Sequence, residues 1–205
     1  MLPPYSPEAY VDFNLPVLRA KMFAALESVR GQLGRACPLW IHGKPVTTKD
    51  SFTSVSPADP SRVVGVASKA NVDLAEKAVR CAADNFKTWS RVAPEVRARV
   101  LIKAAAIMRR RVYELSAWEC YEVSKSWLEA YADVCEAIDF LEFYGREMLR
   151  LGGSHPTTPY PGEENEVRYI PLGVGVVIPP WNFPLAICTG MTSAALVTGN
   201  TVCLK

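Results

Sequence analysis

Proline is absent from residues 95–155 and glycine from residues 66–144, although the 205-residue chain holds 16 prolines and 12 glycines. A stretch that long without breakers excludes a turn-rich β-sandwich there and predicts a helical block, flanked by segments of turns and strands. No CxxC spacing links the six cysteines, at 37, 81, 120, 135, 188 and 203. With no secretory leader before them, they read as free thiols of a reducing, cytoplasmic compartment and not as a disulfide framework. Charge of one sign is also missing: 23 basic residues face 21 acidic ones. That balance gives no reason to expect nucleic acid or an anionic membrane as partner. The only two histidines, His42 and His155, lie far apart with no ligand neighbours in sequence, so no metal site is expected. Only residues 184–204 approach a membrane-span length, and Thr189, Thr192, Ser193 and the Gly199-Asn200 pair interrupt them. With 49 % hydrophobic and 21 % charged residues, the composition is globular, which excludes disordered, collagen-like and coiled-coil readings.

What is present follows the breakers. Residues 16–34 read as a first helix, with Val17, Met22, Ala25, Leu26 and Val29 towards one side. Trp40 to Val46 reads as two short strands around a turn at Gly43, and residues 52–67 as an extended region broken at Pro57 and Pro60. Asn71 is placed to cap a helix to about Thr88, with Asp73 in its first turn and Leu74, Ala78, Ala82 and Phe86 along one face. Pro94 opens the next helix, whose expected stripe is Val96, Val100, Ala104, Ile107 and Met108. Arg109, Arg110 and Arg111 at its end read as complement to the helix dipole and as solvated face. Ser126 and Glu129 have capping-box spacing for a helix to about Leu149, with Val134, Ala137, Ile138, Leu141, Tyr144 and Met148 buried. Residues 152–171, with two glycines and three prolines, form an irregular stretch or a long hairpin.

The last 35 residues carry most of the information. Val174 to Ile178 is a continuous apolar run, expected to be a parallel strand buried on both faces. Pro184 suits the first turn of a helix to about Leu196, Gly199-Asn200 a turn, and Thr201 to Lys205 a second strand. Strand, helix and strand make a βαβ unit, and ligands bind beyond the carboxyl ends of such strands, here at Pro179–Phe183 and Lys205. Gly173-Val-Gly175 lacks a third glycine and precedes its strand, so any dinucleotide would bind without a glycine-rich phosphate loop. One βαβ unit cannot bury two strands by itself, and the chain is therefore expected to be the N-terminal part of a longer protein.

Ile178-Pro-Pro-Trp-Asn-Phe-Pro184, followed after a helix by Gly199-Asn-Thr-Val-Cys-Leu-Lys205, resembles the NAD(P)-dependent aldehyde dehydrogenase superfamily. The resemblance covers the whole chain. Within the superfamily the chain is most similar to the bacterial 1-pyrroline-5-carboxylate dehydrogenases, which oxidise glutamate γ-semialdehyde in proline and arginine breakdown. Val11-Asp-Phe13, Ala105 to Arg111, Glu136-Ala-Ile-Asp-Phe140 with Tyr144-Gly145, and Tyr169 to Gly175 carry that likeness. Ser124-Lys125-Ser126 stands where the family usually shows Gly-Lys-Pro, in a loop expected to lie away from the chemistry.

The resemblance implies an α/β fold: a helical block, then the start of a Rossmann-like parallel sheet, truncated at residue 205. It divides the chain into an N-terminal helical arm (1–35), a mostly helical N-terminal part of the NAD-binding domain (36–150), an oligomerisation-type hairpin (151–171) and the first βαβ unit (172–205). It also implies the roles of single residues. Asn182 would donate its side-chain amide to the oxyanion formed when a thiolate adds to the aldehyde; by its residue type alone it could equally cap the following helix. Lys205 would reach the adenosine ribose of NAD, with NADP the lesser candidate; by itself it could be a solvated strand-end lysine. Ile178, Pro180 and Trp181 would line the same cofactor groove, and Trp181 could at the same time be core packing. Glu136 would pair with the α-amino group of the semialdehyde, or be a partly buried glutamate bonded within the protein. Phe183 would pack on the substrate's aliphatic chain, or simply on the helix. The family's nucleophilic cysteine and general-base glutamate match no residue up to Lys205, so the chain alone is expected to be inactive. The full-length parent is expected to be a homo-oligomer, free-standing or joined to a proline dehydrogenase. Two other readings stay open: an aldehyde dehydrogenase of different substrate, and a non-catalytic dinucleotide-binding relative.

Overall fold

The computed structural model describes residues 2–205. After an extended N-terminal segment, helix α1 (Pro16–Arg30) ends where Gly31 takes the C-cap, one turn earlier than the sequence suggests. Gly34, with φ +80°, then turns the chain into strand β1 (Arg35–Cys37). Val17 is exposed and not on the packed side; Met22 and Val29 carry the burial, against Ala117 of a later helix. Strands β2 (Leu39–Ile41) and β3 (Lys44–Val46) form the expected hairpin. His42 and Gly43, with φ of 55° and 68°, make its turn; two left-handed residues in succession match the twist of the flanking strands. Strands β4 (Ser51–Ser56) and β5 (Asp59–Ser68) pair antiparallel, and β1 joins β5 in parallel, giving the order β1-β5-β4.

The helical block follows. Asn71 caps α2 (Val72–Trp89) by accepting from the Leu74 N–H at 2.9 Å. The predicted stripe Leu74, Ala78, Ala82, Phe86 is the face turned inward. Helix α3 (Pro94–Arg110) departs from expectation: Val96, Val100 and Ile107 are exposed, and Ala98, Leu101 and Ala105 are buried. Close helix crossing explains the difference. A Cβ placed on Gly145 of the facing helix would stand 2.9 Å from Ile102 Cδ1 and 3.4 Å from the Ala98 carbonyl, so the glycine lets α3 approach closely along its Ala98–Ile102 side, away from Val96 and Val100. A separate helix, α4 (Val112–Glu122), follows at once, a division that sequence periodicity does not reveal. Arg109 ion-pairs with Glu8 and Glu142, and Arg111 with Glu114, so these cations bind specific carboxylates besides flanking a helix end.

Helix α5 (Trp127–Leu151) begins with the predicted capping box: Ser126 Oγ accepts from the Glu129 N–H, and the Glu129 carboxylate accepts from Ser126 N–H. It is the central helix, packed against α3, α4 and the last helix, and it buries Val134, Ala137, Ile138, Leu141 and Met148. Strands β6 (His155–Pro156) and β7 (Glu166–Val167) pair antiparallel, so the 152–171 stretch is a hairpin.

The βαβ unit consists of β8 (Val174–Val177), α6 (Ala186–Val197) and β9 (Thr201–Leu204), with the two strands parallel. Helix α6 starts two residues after Pro184, which sits in the preceding turn. Burial of β8 on both faces does not occur: Val176 is 61 % exposed, and Val174 and Ile178 are exposed as well. The strand has one neighbour, β9, and among the described residues none on its other edge.

Candidate functional site

The carboxyl ends of β8 and β9 point to one open groove of about 530 Å³. Pro180, Trp181 and Lys205 line it, together with Glu122, Cys188, Ser54 of β4 and Pro57 of the β4–β5 turn. Trp181 is 80 % exposed, so its ring is groove wall and not core packing. Lys205 follows β9, and its backbone N–H donates to Val177 O at 3.0 Å, which fixes its Cα beside the end of β8. Ile178, Asn182 and Phe183 lie on the same 178–185 loop but outside that lining.

The first backbone N–H of α6 is already occupied. The Ala186 N–H donates to Asp133 Oδ1 of α5 at 3.0 Å, with no other side chain capping the helix. What the groove offers is an exposed ring and a flexible ammonium with three donors at a parallel-strand end. The same bond removes the capping alternative for Asn182: the N-cap position belongs to Leu185, and Asn182 is exposed on the loop three residues earlier.

Beneath that loop lies a charged cluster. Lys125 Nζ is 2.8 Å from Asp133 Oδ2, 3.6 Å from Glu119 Oε2 and 4.3 Å from the centre of the Phe183 ring. The Asp133 side chain is 0 % exposed, Glu119 4 % and Lys125 13 %. Burial, and then the neighbouring Asp133 carboxyl, push Glu119 up to about 9, so it stays protonated near neutral pH. Its two oxygens have no hydrogen-bond acceptor role filled. The Ser124-Lys125-Ser126 loop is thus not remote from the candidate site; its lysine touches Phe183. The expectation that it lies apart is corrected by this contact between residues 58 positions distant, one that local patterning does not show. Ser124 itself adopts φ 57°, the region glycine favours, and its Oγ accepts from the Ala58 N–H at 3.0 Å.

Glu136 stands on α5 between Asp133, one turn before it, and Phe140, one turn after. Asp133 touches Ala186, and Phe140 packs so closely on α6 that a Cβ on Gly190 would stand 2.9 Å from its ring. Glu136, half-buried, therefore occupies the α5 face turned to α6 and shares it with Asp133. Among the described residues no three His, Cys, Asp or Glu side chains cluster to hold a metal. His42 has one neighbour unseen in sequence, Cys81 Sγ at 3.3 Å from its Nδ1. Cys188 lines the groove, but burial raises its thiol; Cys120 and Cys135 are raised the same way, to about 11 and 12. A thiol held protonated is a poor nucleophile.

Parallel strands joined by a helix, with a groove at their carboxyl ends and an exposed asparagine on the loop between, make an open α/β arrangement suited to a ligand. The Aldehyde dehydrogenase family matches residues 43–205, and the chain belongs to that family. It is 55 % identical over its whole length to the 1-pyrroline-5-carboxylate dehydrogenase of Geobacillus thermodenitrificans, of which it spans 40 %. A crystal structure of the Thermus 1-pyrroline-5-carboxylate dehydrogenase with bound NAD superposes with TM-score 0.94 at 48 % identity, over 99 % of this chain and 40 % of that one. Proline utilization A from Bdellovibrio bacteriovorus superposes with TM-score 0.95 at 38 % identity, over 98 % of this chain and 21 % of that one. The chain thus spans two fifths of the length of the curated relatives it matches.

Proposed function

We propose that this chain is the N-terminal part of an NAD-dependent dehydrogenase that oxidises L-glutamate γ-semialdehyde, the open form of 1-pyrroline-5-carboxylate, to glutamate. The observation that carries the reading is the place of exposed Asn182 on the loop, next to Trp181 of the Pro180–Trp181–Lys205 groove, in a chain alike over its full length to enzymes of that name. NAD, when bound, supplies the hydride acceptor. Lys205 holds the ribose hydroxyls through its three N–H bonds, while Pro180 and Trp181 wall the groove and Ile178 flanks it from the same loop. Asn182 donates its amide N–H to the aldehyde oxygen as negative charge builds there. Phe183 covers the substrate's methylene chain, and Glu136 pairs with its α-amino group.

The nucleophile and the base lie in the part of the enzyme outside this chain, so the 205 residues alone reduce no NAD. The raised thiols of Cys188 and Cys203 support that. No described helix is long and apolar enough to cross a membrane, and the six cysteines are free, which supports a cytoplasmic setting. The 152–171 hairpin, two short strands with an exposed rim, is the candidate contact of a homo-oligomer. Likeness to the Thermus enzyme and to proline utilization A is compatible with a free-standing enzyme and with a fusion to a proline dehydrogenase.

Steady-state kinetics of the complete enzyme test this. Asn182→Ala should lower kcat by about 10²–10³-fold with little change in NAD affinity, because its donor acts on charge present only in the transition state. Lys205→Ala should chiefly raise the KM for NAD. An Asn182→Ala enzyme with unchanged kcat would refute the oxyanion role.

A further inference from the structure

Asn182 must be held still to donate to an oxyanion, yet its loop has few attachments. Among the described residues no hydrogen bond joins residues 179–184 to the rest of the fold. Beyond the apolar packing of Leu185 on the core, polar tethers occur at two points, and both lead to the same pair. At the loop's end, Asp133 Oδ1 takes the Ala186 N–H at 3.0 Å; in its middle, Lys125 Nζ sits 4.3 Å from the centre of the Phe183 ring, the residue next to Asn182. Lys125 and Asp133 are themselves joined at 2.8 Å.

We propose that Lys125 and Asp133 are positioning residues that fix the Trp181–Leu185 loop and thereby aim the Asn182 amide. A cation–ring contact has a preferred geometry, and a lysine clamped on a fully buried carboxylate cannot follow the ring if the loop drifts. Asp133 sets the first turn of α6, and Lys125 sets the ring; the residue between these anchors and Trp181 is Asn182. Charge burial of this kind costs stability relative to an apolar core and is repaid here in orientation. The inference rests on the oxyanion reading of Asn182.

A double-mutant cycle in the complete enzyme separates positioning from plain support. Lys125→Met should lower kcat at least about tenfold while the KM for NAD stays within about twofold, because a misaimed donor removes only transition-state stabilisation. Asn182→Ala combined with Lys125→Met should be no slower than Asn182→Ala alone, since Lys125 acts through that amide. Amide exchange at Ala186 should quicken in the Lys125 variant. If Lys125→Met leaves the enzyme unfolded, the Lys125→Met/Asp133→Asn pair, which leaves no lone charge, serves in the same cycle with the same expectations. Retention of kcat in the Lys125 variants, or losses that multiply with Asn182→Ala, would overturn the inference while leaving Asn182 in place. Retention of kcat by Asn182→Ala itself would instead overturn the oxyanion reading, and the inference with it.

Discussion

Asp133 Oδ1 accepts the Ala186 N–H at 3.0 Å, so a side chain on α5 caps a helix that begins 53 residues later. Its other oxygen takes Lys125 at 2.8 Å, with the carboxylate wholly shielded from water. Two jobs on one buried carboxylate should make its removal more costly than the loss of an ordinary cap.

Asp133→Ala should therefore destabilise the fold by about 3–5 kcal/mol, the scale for stranding one member of a buried ion pair, and not the ~1 kcal/mol of a lost helix cap. Adding Lys125→Met should recover part of that loss by removing the stranded ammonium. Urea titrations of the single and double variants measure both. A single-variant loss of only a cap's size would mean that water reaches Lys125.

The two cap sites written locally, Asn71 and the Ser126–Glu129 box, were legible because each bond spans three residues. The α2 stripe was legible for the same reason. The α3 face was not: Ala98 and Ile102 meet Gly145 on another helix, and Val96 and Val100 are left in solvent. Exposure of β8 was missed because hydrophobicity records what a strand can bury, not whether a neighbour is present. In the candidate site the motif around Asn182 and Lys205 stood out. Lys125, Asp133 and Glu119 did not, since their meeting depends on α4, α5 and the 178–185 loop converging in space.

Glu119 makes a pH prediction. Its carboxyl ionises near 4.5 in the unfolded chain and only at about 9 in the fold, where burial is the main cause. Between those values the folded state holds a proton that the unfolded state has lost. Stability is then full below 4.5 and falls as pH rises to about 9, by up to about 1.4 kcal/mol per unit. Carboxylates lowered by arginine partners, Glu114 and Glu147, act in the opposite sense, but they lose their contribution only as pH drops through the acid range. Glu119→Gln stays neutral at every pH and should flatten the fall between pH 5.5 and 8.5. Equal slopes for the two proteins in urea melts across that window would show that Glu119 is already ionised when folded.

Phe140 and Gly190 set the approach of α5 to α6. A Cβ at Gly190 would lie 2.9 to 3.1 Å from three ring atoms of Phe140, closer than side chains pack without moving. Gly190→Ala should cost about 1–3 kcal/mol as the ring or the helix shifts, the range for overpacked cores. Gly190→Ala/Phe140→Leu should restore most of it, because the ring edge is the obstacle. Thermal melts of the two variants decide; an unchanged melting point for Gly190→Ala would show that the interface has slack.

Glu136 is the local support for glutamate semialdehyde as substrate, and it shares the α6-facing side of α5 with Asp133. A carboxylate that pairs with an ammonium contributes only to substrates that carry one. In the complete enzyme, Glu136→Ala should raise the KM for glutamate semialdehyde and leave that for propanal within about twofold, since propanal has no charged group to lose a partner. Glu136→Gln should behave nearly like Glu136→Ala, because the amide keeps the shape but not the charge. The ratio of kcat/KM for the two aldehydes measures this without any correction for enzyme that fails to fold. A ratio that stays at its starting value in both variants would make Glu136 a scaffold residue, and the amino group of the substrate would have to be recognised from the part of the enzyme outside this chain.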